Sequence, residues 1–370
     1  MIDWLANGLL PFLVVLTIVV FVHELGHYWV ARRCGVHVET FSIGFGPEIF
    51  GWHDKNGTRW RVAWIPLGGY VKFFGDADAA SAPDADRVAG MSSEEQAKSY
   101  HYKSPLQRMA IAVAGPVANF IFAVMVFWGL MVSYGEVQRA ATVGSVSDGS
   151  AAQEAGLVIG DTVVAIDGDD IDTFADLHQY ISLSGGQTMM FTIDRNGALR
   201  DLQVTPKRVM REDPFGNEME GWLVGITSSS DYTVKRFGPI EGVGAASERV
   251  GGIITGTLKF VWQLVAGRES ADQLGGPIRI ATMSADVAQL GIASLVSFIA
   301  LISVSIGLIN LFPIPMLDGG HILLYTIELV RGKPLSDRAL EMAYRVGFAM
   351  VGGLMIFATF NDLVYLKLFG

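Results

Sequence analysis

Four stretches of the chain are nearly unbroken runs of apolar residues. Each is close to the ~20 residues a helix needs to cross a hydrocarbon core about 30 Å thick. They run from about Leu9 to Val30, Met109 to Tyr134, Ala293 to Phe312 and Ala343 to Phe360, and they predict four transmembrane helices. A fifth apolar stretch, Arg249 to Arg268, carries Lys259 and Gln263. Its Val250, Ile253, Ile254, Phe260, Val261 and Leu264 recur at helical spacing, which predicts an amphipathic helix on the membrane surface.

The polar segments between these runs have their own periodicity. After the first run, PEIFGWH and TRWRVAWI alternate on either side of Asn56-Gly57, the pattern of a β-hairpin closed by a tight turn. Asp76 to Ser104 is rich in Ala, Asp and Ser and reads as a flexible linker. From about Ala141 to Arg208 the chain reads as short strands with two helices. Val163, Val164 and Ile166 form one strand, Phe174 to Ile181 a helix, and Met189 to Ile193 and Leu199 to Val204 two more strands. Within it, SAAQEAGLVIGDTVVAIDGDDI resembles bacterial PDZ domains, in which Ala-Gly-Leu before a Gly-Asp turn recurs. The expected fold is therefore mainly α: a polytopic membrane protein with four transmembrane helices, a membrane-associated β-hairpin and an α+β PDZ-like external domain. Its divisions fall at 1–134, 135–230, 231–292 and 293–370. The stretch from Asp231 to Thr282, with Gly275-Gly276-Pro277, has no assigned role beyond scaffold near the membrane surface.

Composition agrees. Hydrophobic residues make up 51% and charged residues 17% of the 370, against about 25% charged in ordinary globular proteins, and mean hydropathy is +0.38. A net charge of −10 without a basic run argues against nucleic acid as a partner. The single cysteine, Cys34, cannot form an internal disulfide. The first apolar run lacks a basic leading region and a small-residue cleavage site, so it reads as a retained helix rather than a signal peptide. Arg32, Arg33, Arg59, Arg61, Lys72 and Arg108 crowd the segment between the first two spans. By the positive-inside rule that segment is cytoplasmic, and the N-terminus, the long segment between spans two and three, and the C-terminus are outside.

Chemistry is concentrated in His23-Glu24-Leu25-Gly26-His27, an H-E-x-x-H motif. On a helix, residues four apart share a face, so both imidazoles reach one metal ion, zinc by this motif. Glu24, next to the first ligand, serves as general base toward a water at the metal. The motif lies inside an apolar run, about 14 residues or ~21 Å from its outer end, where unpaired ionisable groups cost at least ~2.5–3.5 kcal/mol each. Zinc still lacks a protein ligand. Asp318, in Asn310-Leu-Phe-Pro-Ile-Pro-Met-Leu-Asp-Gly-Gly-His321, directly follows the third run, where Pro313 and Pro315 stop the helix. It is the candidate third ligand; a helix-capping aspartate is the plain alternative. His321 either orients Asp318 or is an interfacial residue. His37, His53, His101 and His178 read as surface histidines.

HELGH in the first run, LDGGH after the third and a PDZ-like insert together resemble the site-2 protease family, nearest its bacterial regulator-of-sigma-E branch. Ile65-Pro-Leu-Gly-Gly-Tyr-Val71, Gly115-Pro-Val-Ala-Asn119 and Phe360-Asn-Asp-Leu363 add to the likeness. The resemblance implies zinc on His23, His27 and Asp318, with Glu24 as catalytic base. It implies that Asn119 and Asn310 hold the substrate backbone. The hairpin would enter the bilayer and, near Gly68, Gly69 and Tyr70, pair with the substrate. It also implies a bacterial inner membrane, and membrane-spanning substrates such as clipped anti-sigma factors or remnant signal peptides. Many members of that branch carry two PDZ domains, and this chain has room for one. A membrane-anchored PDZ adaptor with a vestigial metal site and a metal transporter are the rival readings.

Overall fold

The computed structural model describes residues 9–77, 87, 90–212, 218–267 and 275–365. The chain divides into two compact units, one of residues 1–129 with 240–370 and one of Leu130–Pro239.

The first unit starts with α1 (Leu10–Arg33), which has Pro11 in its first turn, where a missing N–H costs nothing. Two long strands follow, β1 (Val38–His53) and β2 (Arg59–Phe73), joined by the predicted turn. Asp54 accepts the amides of Asn56 and Thr58 there, and Gly57 has φ +83°, a conformation that favours glycine. The strands are longer than the sequence pattern indicates, and each bends once. Gly44 and Gly46 (φ +88° and +87°) bend β1, and Gly68 (φ +106°) bends β2. Bending lets 38–43 pair antiparallel with 69–73 while also lying beside 59–62, and 48–53 pairs with 59–63. Among the described residues, segments 69–73 and 48–53 are the edges with no further strand partner.

Next come α2 (Ser93–Lys98), opened by a Ser92–Glu95 capping box, and α3 (Pro105–Tyr134). The expected linker is thus built structure at its described end. Met91, Ser99 and Tyr100 are buried, and Asp76 is buried beside His101 with an Nε2–Oδ1 distance of 2.9 Å. His101 is therefore a half-buried hydrogen-bond partner of Asp76, not a surface histidine. Its Ala/Asp/Ser-rich composition hid those few anchoring residues. Residues 78–86, 88 and 89 of that stretch lie outside the described part.

The second unit contains β3 (Glu136–Arg139), β4 (Val143–Val146), α4 (Ala151–Glu154), β5 (Thr162–Ile166), β6 (Asp169–Asp170) and α5 (Phe174–Leu183). It continues with β7 (Met189–Arg195), β8 (Ala198–Val204), β9 (Lys207–Glu212), β10 (Glu218–Leu223), β11 (Ile226–Ser228) and β12 (Tyr232–Lys235). A four-stranded antiparallel sheet in the order β6-β5-β7-β8 is flanked by three strand pairs, β3 with β12, β4 with β11 and β9 with β10. Val163 and Ile166 of β5, three residues apart across an irregularity in its pairing, join the alternate residues Phe191 and Ile193 of β7 and Leu177 of α5 in one core. The strand and helix pattern read from residues 141–208 holds.

The chain then returns to the first unit through α6 (Pro239–Val265), α7 (Pro277–Gln289), α8 (Ile292–Asn310), α9 (Asp318–Arg331) and α10 (Asp337–Tyr365). α1, α3, α8 and residues 338–364 of α10 are long and apolar enough to cross a membrane. These helices outrun the apolar stretches that announced them, because polar ends such as Arg32-Arg33 and Gln107-Arg108 continue the same hydrogen-bonded spiral. α8 is the exception. It stops at Asn310, three residues before Pro313, which disfavours helix in the residue preceding it. α6 begins ten residues earlier than the Arg249 boundary, and it exposes Ile240, Val243, Leu258, Trp262 and Val265.

Small residues set how closely the helices approach. A Cβ on Gly26 of α1 would lie 2.7 Å from Ala118 Cβ, and one on Gly307 of α8 would lie 3.2 Å from Pro116 O of α3. Val15, Val19, Phe298 and Ile299 fill the space between α1 and α8. The Gly275-Gly276-Pro277 turn acquires a role here. Asp362 of α10, 1% exposed, accepts the amides of Gly276, Ile278 and Arg279 at 2.9, 3.0 and 3.0 Å. A carboxylate from a distant helix thus caps the start of α7.

Candidate metal centre

His23 and His27, one turn apart on α1, bring their Nε2 atoms to 3.2 Å of each other. Asp318 meets them as the first residue of α9, with Oδ2 3.1 Å from His23 Nε2 and Oδ1 3.4 Å from His27 Nε2. The side chains of the three are 9%, 11% and 17% exposed, and their ligand atoms all lie within 4.8 Å of one another. Asp318 Oδ2 is buried and makes no hydrogen bond among the described residues. Two imidazole nitrogens and a carboxylate converging on one point, with an unsatisfied carboxylate oxygen among them, fit the donor set of a catalytic zinc, which keeps a fourth position open.

Close packing delivers Asp318. Between α8 and α9 the chain turns at Phe312-Pro313-Ile314-Pro315, and Met316 has φ +86°, strain of the sort stored at functional sites. A Cβ on Gly320 would lie 2.7 Å from Pro315 Cα, and one on Gly347 of α10 would lie 2.8 Å from Pro315 Cβ, so only glycines allow this turn to fold so tightly. Asp318, His321, Tyr325 and Glu328 recur every three or four residues, on one face of α9. Glu328 pairs with Arg108 of α3, Tyr325 O–H meets Tyr100 O–H at 2.8 Å, and Arg108 lies over the Tyr325 ring. These contacts hold α9 in register. His321 packs against the rings of Tyr325 and Tyr344, each with centroids 6.0 Å away, and lines the cavity.

That cavity, about 290 Å³, opens beside the cluster. Glu24, Gly68, Gly69, Tyr70, Asn310 and Asp318 all line it. β2 passes directly over Glu24: a Cβ on Gly69 would be 3.6 Å from Glu24 Cγ and 2.7 Å from Ser42 O, and the Val71 amide hydrogen-bonds the Glu24 carboxylate. The free edge 69–73 therefore borders the cavity. The turn of the hairpin is tied to the same helix. Asp54 accepts Tyr28 O–H at 2.8 Å and Trp60 Nε1–H at 3.1 Å. Burial alone would raise the Asp54 carboxyl, but these bonds and those from Thr58 and Asn56 leave it below its ordinary value.

Asn310 Nδ2 lies 3.3 Å from His23 Nε2. Asn119 is placed differently: it is fully buried, absent from the cavity wall, and turned to His23 Nδ1 at 3.2 Å. Sequence reasoning gave no role to Gly115 or to the Ile111 carbonyl, which accepts His27 Nδ1–H at 2.8 Å. Their positions at four-residue intervals before Asn119 were the available signal. His53 and His178 are exposed, and His37 is half-buried.

The profile of peptidase family M50 matches residues 11–354, a span containing every residue of the cluster. The chain belongs to peptidase family M50. The site-2 protease resemblance is borne out with it, and with four apolar helices this is a multi-pass membrane protein. The chain is 45% identical over 369 residues to a protein of Rhizobium meliloti (strain 1021) that carries the name "Putative zinc metalloprotease", with 99% of each chain covered. It is 38% identical over 377 residues to "Metalloprotease MmpA" of Caulobacter vibrioides, covering 96% of this chain and 95% of that one. The crystal structure of the PDZ domain of an SdrC-like protein from Listeria monocytogenes covers 26% of this chain and 90% of its own, at 23% identity and a TM-score of 0.19.

Proposed function

We propose that this membrane metalloprotease binds one zinc ion and hydrolyses a peptide bond within or beside the membrane-spanning segment of single-pass proteins. The observation that carries the reading is the meeting of His23, His27 and Asp318 among apolar helices, with Glu24 in the cavity at their side. When bound there, zinc would polarise the scissile carbonyl and acidify a water. His23, His27 and Asp318 would hold it. Glu24 takes the proton of the attacking water and passes it to the leaving amine. Asn310, a donor in the cavity wall, hydrogen-bonds the substrate backbone. A helical substrate hides its peptide bonds and must unwind. Adding it as a strand to the 69–73 edge, near Gly68, Gly69 and Tyr70, satisfies the freed amides and carbonyls.

The same reading places the protein in a bacterial inner membrane. Both termini and the PDZ-like unit face the periplasm and the zinc lies near the cytoplasmic side. The hairpin, which exposes Phe50, Trp52 and Trp64, dips into the bilayer. Substrates are anti-sigma factors first trimmed outside by another protease, and remnant signal peptides, with the PDZ-like unit admitting them after trimming. Glu24→Gln tests the chemistry: it should abolish cleavage of a single-pass reporter in liposomes while zinc content stays at the parent value. Undiminished cleavage would refute the assignment.

A further inference from the structure

Both histidines turn Nε2 toward Asp318. For Nε2 to give its lone pair to a cation, the single ring proton must sit on Nδ1. That N–H then requires an acceptor on the far side of each ring. His27 has one in the Ile111 carbonyl. What faces His23 Nδ1 is the terminal amide of Asn119, with Nδ2 placed 3.2 Å away. An amide N–H₂ against an N–H is donor against donor. Meanwhile Asn119 Oδ1 is buried and has no hydrogen-bond partner among the described residues. The two ends of an asparagine amide have the same shape, and their order is decided by the hydrogen bonds they make. Exchanging them gives the Nδ1 proton of His23 its acceptor.

Ile111, Gly115 and Asn119 stand four residues apart and so form one stripe along α3. The outer two stand behind the two imidazoles. Gly115 between them lets the helix come close, because a Cβ there would lie 2.6 Å from His27 Cε1 and 2.9 Å from His23 Cε1. Asn119 is itself fixed. Its backbone oxygen accepts Ser303 Oγ–H at 3.1 Å, and α8 presses on it where a Cβ on Gly307 would be 3.2 Å from Asn119 Cβ. Fully buried and outside the cavity wall, Asn119 reaches the chemistry only through the His23 ring.

We propose that Asn119 is a positioning residue whose side-chain oxygen accepts the Nδ1–H of His23, fixing the tautomer that offers Nε2 to the metal. This rests on the zinc reading above, and it moves Asn119 from substrate contact to metal support. Groups that orient a metal-bound imidazole typically change metal affinity 10–100-fold when removed.

The test uses the detergent-purified full chain and zinc alone, with affinity measured by competition against a chromophoric chelator. The visible spectrum of the cobalt(II)-loaded protein reports ligand geometry. Asn119→Ala should weaken zinc binding about 10–100-fold and shift the cobalt bands. Asn119→Asp, which keeps an acceptor but no donor, should stay within about threefold of the parent, with parent-like bands. If Asp fails as badly as Ala while its thermal midpoint matches the parent's, Asn119 donates rather than accepts and the proposal is wrong. It is equally wrong if Ala leaves affinity and spectrum unchanged. A parent chain that takes up neither zinc nor cobalt overturns the zinc reading itself, and this inference falls with it.

Discussion

Gly115 has no side chain to contribute, yet the geometry makes it one of the most sensitive positions in the centre. In Gly115→Ala the new methyl would lie 2.6 Å from His27 Cε1 and 2.9 Å from His23 Cε1. Carbon atoms in contact prefer at least about 3.5 Å, so the rings must yield by roughly 0.9 and 0.6 Å. They have little room to do so. His27 is held from behind by the Ile111 carbonyl and His23 by the Asn119 amide. Moving α3 away instead would undo the close Gly26–Ala118 approach, where a Cβ added to Gly26 would fall 2.7 Å from Ala118 Cβ. Metal sites tolerate departures of only ~0.2 Å in their bond lengths, several times less than the shift required. The expected result is at least a 10–100-fold loss of zinc affinity together with about 1–3 kcal/mol of overpacking cost. Zinc per chain is read by elemental analysis after equilibration in chelator-buffered zinc. Gly129→Ala in the same helix, where a Cβ meets nothing within 4 Å, serves as control. A Gly115→Ala protein that holds zinc as tightly as the parent and melts at the same temperature would refute the packing argument.

Asp318→Asn and His23→Ala should each lower zinc content clearly below the parent's, since each removes one of the three groups proposed to hold the ion; full occupancy in both would mean the cluster is not the site. Asp362→Ala takes the acceptor from three amides at the start of α7 and should cost about 2–3 kcal/mol, seen as a lower thermal midpoint in detergent; an unchanged midpoint would deny the cap its role. In the second unit, burial would raise the Asp161 carboxyl, but Arg195 at 2.7 Å and the Val158 amide outweigh it and hold it below its ordinary value. A depressed carboxyl stabilises the fold above the ordinary carboxylate range and loses that contribution as pH falls through its folded value. Limited proteolysis of the second unit should therefore accelerate below about pH 4 in the parent, and Asp161→Asn should be susceptible at neutral pH with a flatter acid limb.

The sequence by itself determined whatever depends on near neighbours. Residues four apart share a helical face, so HELGH alone put the imidazoles of His23 and His27 within reach of one metal ion. Apolar length marked the four helices long enough to cross a membrane, though not their ends, and Asn56-Gly57 marked the hairpin turn. The prolines before Asp318 marked the helix stop that makes it available. Tertiary structure decided which distant groups complete these local features. Asp318 lies 291 residues beyond His27, and its arrival depends on glycines 320 and 347 allowing backbones to touch, a property of two surfaces rather than of either one. The double pairing of β1, the burial of Tyr100 within a stretch that looked like linker, and the capping of Gly276 by Asp362 are likewise contacts between remote segments. The second ring nitrogens show the limit most clearly. A helix reads out in sequence which residues it presents. Whether Asn119 meets substrate or the back of His23 depends on how far α3 slides along α1, and that is set by how their small residues pack.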